Sequence, residues 1–157
     1  MPIDYYSNML GVLIEQQVLE QLMQNRFKTL IQHLQSKNVF IALLMLEWLI
    51  CLFINNMSED AEFTILDFFF LGGINELLRI IMTVILLMEP ELLEAEDMFT
   101  CQNIIKTFGT KVVKAQLLSK MVRISNEVID EIRASIRTKT LQSNKLKFDS
   151  SQSSSGL

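Results

Sequence analysis

Residues 47–88, EWLICLFINNMSEDAEFTILDFFFLGGINELLRIIMTVILLM, are the most apolar part of a 157-residue chain, and their reading decides the fold. They are either a transmembrane hairpin or the buried helices of an all-α domain. The first apolar run, Val39 to Ile54, has 16 residues, short of the roughly 20 that cross a bilayer core. Glu47 lies inside it, and Asp67, Glu76 and Arg79 punctuate the second run. Acidic and basic side chains near the centre of a span cost about 2.5–3.5 kcal/mol each. Gly72-Gly73 also falls where the second span would have its centre. Buried helices of 13–16 residues meet none of these objections, because they place their charges at a rim. The core reading is therefore preferred, with the hairpin as its rival.

Working outward, the composition supports helices throughout. The chain is 50% hydrophobic and 20% charged, which excludes a disordered polymer. Leu, Ile, Met, Glu, Gln and Lys dominate, all but Ile among the best helix formers. Upstream, Ile14, Val18, Leu19, Leu22 and Met23 alternate with Glu15, Gln17, Glu20 and Gln21 at helical spacing, predicting a helix over 14–24. Tyr5 and Tyr6 either pack on it as a lid or fray. Phe27, Leu30, Ile31 and Leu34 predict a second helix, ending near Ser36-Lys37-Asn38. After Asn55-Asn56, Ser58-Glu59-Asp60 carries an N-cap and first-turn acids for a helix over 59–71. Gly72-Gly73 ends that helix, and the next runs to Met88 with Glu76 and Arg79 as i,i+3 partners. Glu89-Pro90-Glu91 predicts a new helix start, and another helix spans 98–108, closed by Gly109.

Downstream the character changes. Residues 1–110 hold 5 basic and 14 acidic side chains, whereas 111–157 hold 9 basic and 4 acidic. Val113, Leu117, Met121, Ile124, Val128, Ile132 and Ile136 form one apolar stripe, predicting a single long amphipathic helix over about 111–137. Lys111, Lys114, Lys120 and Arg123 give it a basic face, solvated or turned to an acidic membrane surface or protein partner. The Ser-rich end is too poor in apolar residues to fold by itself. The expected organisation is a helical subdomain over 1–109, a long helix over 110–138 and a disordered tail over 139–157.

The chemistry is sparse. His33 is the sole histidine, so it has no second imidazole beside it and no nucleophile to serve, and a structural role is expected. No Glu-x-x-His pair, phosphate-binding glycine loop or Ser-His-Asp order occurs. No metal, cofactor or catalytic residue is assigned, and no nucleic-acid partner. The nine methionines are expected as adaptable core. Cys51 and Cys101, both in apolar segments, are expected as buried free thiols of a reducing compartment. The N-terminal residues lack a basic region followed by an apolar one, so no secretory signal is expected.

An ordered series of residues resembles the TBC domain, the GTPase-activating domain for Rab proteins. Trp48-Leu49 followed by Phe53 resembles its Trp-Phe-x-x-x-Phe helix. Thr64-Ile65-Leu66-Asp67 stands for Arg-Ile-Trp-Asp, Phe68-Phe69-Phe70 for the Phe-rich segment, Gly72-Gly73 for Glu-Gly and Leu77-Leu78-Arg79 for Leu-Phe-Arg. Upstream, Glu15 to Leu19 resembles an Asp-Gln-x-Val segment, and Lys28 to Leu34 a Leu-Pro-x-Leu-x-x-His-Leu helix with His33-Leu34 retained. Glu91-Leu92-Leu93 and Asp97 resemble the stretch after the arginine helix, so the likeness covers about residues 5–108.

The resemblance implies a Rab-family small GTPase as partner, a role in vesicle trafficking and a cytoplasmic location, peripheral on endomembranes. It implies structural roles for Trp48, Phe53, Asp67, Gly73 and Arg79, with Asp67 and Arg79 in rim contacts between helices. The family's catalytic arginine, in Ile-x-x-Asp-x-x-Arg, and its glutamine, in Tyr-x-Gln, belong to the half of the domain upstream of the matched residues. Neither Arg26 nor Gln16-Gln17 sits in such a context. An arginine finger contributes roughly 10³–10⁵ in rate, so GTPase activation by these residues alone is not expected. Self-association through exposed apolar surface, and a helical interaction module unrelated to GTPases, are the competing expectations.

Overall fold

The computed structural model describes residues 9–54 and 57–153, and Tyr5, Tyr6 and Asn55-Asn56 lie outside them. Seven α-helices follow in order among the described residues: α1 Leu10–Arg26, α2 Lys28–Ser36, α3 Ile41–Cys51, α4 Glu59–Glu94, α5 Met98–Phe108, α6 Lys114–Lys120 and α7 Asn126–Ser153. A short 3-10 turn, Gly109–Lys111, links α5 to α6. The fold class is all-α, as the sequence predicts.

The second half of α4 is the axis of the core. Leu77, Leu78, Ile80, Ile81, Met82, Val84, Ile85 and Met88 are each at most 1% exposed. A helix apolar all round has to be surrounded, and α1, α2, α3, α5 and α6 all pack against α4. By length and composition α4 would also cross a membrane, and 44% of its most apolar window is buried inside the fold. One continuous apolar cluster runs from Val12 on α1 to Ile136 on α7.

The predicted break at Gly72-Gly73 is present: Gly73 leaves helical geometry and two helices meet there across a kink, counted together as the 36-residue α4. Four expectations are corrected. Pro90 starts no new helix; α4 runs through it to Glu94. The Pro falls in the final turns, where its missing N–H removes one bond and the packed Leu92 still anchors the chain. The predicted single helix over 111–137 is interrupted at 121–125. There the hydroxyl of buried Thr83 accepts the Val122 N–H at 2.9 Å, and Arg79 Nε donates to the Ile124 carbonyl at 2.8 Å. Side chains of α4 thus satisfy backbone groups that would otherwise bond within a helix. The break also changes the apolar register. Val113 and Val128 are 50% and 44% exposed, while Val112, Val122 and Ile129 take the buried positions.

The last two corrections concern the tail and a thiol. α7 continues through the predicted boundary at 138 to Ser153. No Gly or Pro stands between Lys111 and Ser155 to end it. Cys101 is buried, and burial, then the charge of Asp97, push its thiol above the ordinary range. Cys51 is exposed, because α3 ends there and the chain turns away through Leu52 and Phe53.

Candidate functional site

The five residues singled out by resemblance do not converge on one spot. Trp48 and Phe53 form an internal clasp. Leu52 and Phe53 both take left-handed backbone, at φ 52° and 63°, which costs a non-glycine residue roughly 1–2 kcal/mol. Burial offsets that strain. Phe53 is fully buried and stacks on Trp48 with ring centroids 5.1 Å apart. The tight turn after α3 is therefore held by two aromatic rings spaced five residues apart.

Gly73 and Arg79 belong to a second assembly, at the kink of α4. Gly73 has φ 67° and ψ −151°, a region open essentially to glycine alone. A Cβ at the preceding Gly72 would stand 2.1 Å from Glu76 Cγ. Gly73 is thus required for its backbone, whereas a side chain at position 72 would push Glu76 out of its present place beside Arg79. Arg79 meets Glu76 at 2.5 Å, and its other nitrogen donates to Asn126 Oδ1 at 2.5 Å. The predicted Glu76–Arg79 pair is present.

Next to it lies an ion pair across 118 residues of sequence. Arg133 on α7 grips Glu15 on α1 in a bidentate fork, Nε to Oε1 at 2.6 Å and a terminal nitrogen to Oε2 at 2.9 Å. The same terminal nitrogen donates to Asn75 Oδ1 at 2.6 Å, and the other pairs with Asp130. Asn75 in turn reaches Asn126 at 3.2 Å. Glu15 is 2% exposed, so its charge depends on the fork. Burial works against the Arg133 charge, but the hydrogen bond and charge of Glu15, with Asp130, hold the guanidinium above its ordinary value. Arg79 and Arg133 are committed to these internal contacts, and neither is free to reach a phosphoryl group.

Asp67 departs from expectation. It makes no ion pair among the described residues, with Arg79 or any other. It stands exposed on the first half of α4, in an open groove of about 210 Å³ lined also by Thr64, Phe68, Leu71, Lys114 and Leu118. Beside it, Phe63, Phe70 and Leu71 are 61%, 78% and 87% exposed. This face is an apolar surface that the two motif assemblies leave open.

The remaining polar residues have structural partners. A nitrogen of His33 lies 3.0 Å from the Ala95 carbonyl, tying α2 to the end of α4. Asp97 caps α5, accepting from Thr100 N–H and from its hydroxyl, each at 2.8 Å. The Thr100 backbone bond, then its hydroxyl, hold the Asp97 carboxyl below its ordinary value. Ser58 heads α4, yet its hydroxyl donates to Val112 at 2.6 Å instead of capping the helix. Lys111, Lys114, Lys120 and Arg123 are exposed. No cluster of three metal-ligating side chains occurs among the described residues.

The family model of the Rab-GTPase-TBC domain matches residues 1–93. Named relatives agree with it. A protein of Emericella nidulans, named as a candidate GTPase-activating protein, is 30% identical over 109 residues, 69% of this chain and 10% of its own length. Human TBC1 domain family member 2B is 26% identical over 126 residues, 80% of this chain and 13% of its own. Growth hormone-regulated TBC protein 1 of Xenopus laevis is 33% identical over 95 residues, covering 60% of this chain and 28% of that one. The chain therefore spans between about a tenth and a quarter of the curated relatives it matches.

Proposed function

This chain belongs to the Rab-GTPase-TBC domain family, and we propose that it binds Rab-family small GTPases without accelerating GTP hydrolysis by itself. The match over residues 1–93 carries the first half of the reading. The second half rests on chemistry. GTPase activation in trans needs a cation to neutralise the transferring phosphoryl group and a side chain to orient the attacking water. The residues of this chain contain neither an Ile-x-x-Asp-x-x-Arg nor a Tyr-x-Gln sequence. Two largely buried arginines, Arg79 and Arg133, hold helices together instead.

In this reading the chain is a binding or scaffold element of vesicle trafficking, cytoplasmic and peripheral on endomembranes. The exposed lysines of the C-terminal region supply attraction to an acidic surface of the kind that salt screens. The test is retention of a Rab panel, loaded with GTP or GDP, on the immobilised chain, with hydrolysis followed in parallel. Binding that depends on nucleotide, with an unchanged hydrolysis rate, supports the proposal. Retention of none contradicts its first half, and accelerated hydrolysis contradicts its second.

A further inference from the structure

The last helix is held to the molecule differently from the central one. Five helices pack against α4, whereas α1 is the only helix that α7 packs against at length among the described residues. The described side chains that α7 buries are three isoleucines, Ile129, Ile132 and Ile136. The rest of its hold is polar, through the Glu15–Arg133 fork and the contacts of Asn126 with Arg79 and of Arg133 with Asn75. An element with so few buried apolar contacts belongs to the low-stability end of a fold.

The connection before α7 is fastened independently of it. Within the non-helical residues 121–125, Thr83 holds the Val122 N–H and Arg79 the Ile124 carbonyl. Both bonds survive if α7 turns away beyond Ser125. The fork makes that motion all-or-none. Glu15 and Arg133 are both largely buried, so losing one partner alone leaves the other charge dehydrated and unpaired. Moving α7 away whole returns both charges to water together. It also uncovers the face of α1 on which Val18 and Leu22, buried in the closed form, follow Glu15 at offsets of 3 and 7.

We infer that α7 is a hinged strap, latched over α1 by the Glu15–Arg133 fork, which pivots at residues 125–126 and opens as a unit while the α4 core stays folded. α7 lies beyond the residues 1–93 that match the family, and the face it covers lies within them. The strap therefore sets whether that α1 surface is open to a partner.

Native-state hydrogen exchange of the 157-residue chain in dilute urea tests the inference. Amides of residues 129–140 are expected to exchange through one shared opening, with a lower free energy and a smaller urea dependence than amides of residues 77–88. Arg133→Met strands Glu15 in the closed form, so it should raise the opening of α7 more than about a hundredfold. Arg133→Lys keeps the charge without the fork and should fall between the two. The double variant Glu15→Leu with Arg133→Met should close the strap again. The wild-type measurement decides the separate opening without any variant. Exchange of 129–140 along the same urea dependence as 77–88 would overturn the inference, as would fraying residue by residue with no shared opening. Equal losses of protection in both segments on Arg133→Met, or a double variant as open as the single one, would overturn the latch.

Discussion

The two halves of α4 are both rich in Phe, Leu and Ile, yet they end in opposite environments. From Ile74 onward the helix is wrapped by its neighbours, and ten of its side chains are at most 1% exposed. Before Gly72 only Ala61, Thr64 and Ile65 are buried, while Phe63, Phe70 and Leu71 face solvent. Hydrophobic composition alone therefore does not make a core. What differs is what surrounds each half, and the kink at Gly73 is where the surroundings change. The polar ties gather at that kink, where Asn75 and Arg79 on the buried side reach α7 and Glu76 holds Arg79.

The largest effect is expected where these ties are buried. Arg133→Met strands the Glu15 carboxylate and should cost about 3–5 kcal/mol in urea unfolding. Adding Glu15→Leu should recover most of it, which separates the cost of a stranded charge from lost packing. Leu78→Ala, in the wrapped half, should cost about 2–5 kcal/mol, whereas Phe70→Ser in the exposed half should stay within about 0.5 kcal/mol. Equal losses at Leu78 and Phe70 would break the comparison. Gly73→Ala should cost about 1–3 kcal/mol through backbone strain, since nothing lies within 4 Å of the added Cβ.

The smallest effect lies beyond α4, at the Asp97 cap. Its folded-state pKa is depressed. Its contribution is therefore complete above the ordinary carboxylate value and is lost as pH falls through the lower, folded value. Asp97→Ala should flatten the acid side of a melting-temperature profile and leave its alkaline side parallel to wild type.

How much of this was legible in the sequence depended on whether the causes were local. The all-α class, the glycine kink and the Glu76–Arg79 pair follow from spacing and backbone preference alone. So does the structural part of His33. The interruption at 121–125 was hidden, because the groups that satisfy its backbone come from Thr83 and Arg79, 39 and 45 residues away. One local signal was present in Ser125-Asn126, in the middle of the apolar stripe. The Ser125 hydroxyl accepts from Val128 N–H at 3.4 Å, as a helix start does. The Glu15–Arg133 fork had no local signal at all, since neither residue is distinguishable from a surface charge until α1 and α7 are side by side. Asp67 misled in the opposite way. A carboxylate inside an apolar run suggested a partner within the fold, and it stands instead on a face that the fold leaves open.

Native-state hydrogen exchange along α4 tests this contrast most directly. Amides of residues 77–88 should exchange only through the largest unfolding events. Amides of residues 62–71 should exchange faster, through local opening of the exposed half. Uniform protection from 62 to 88 would contradict the division of α4 into a core half and an open half.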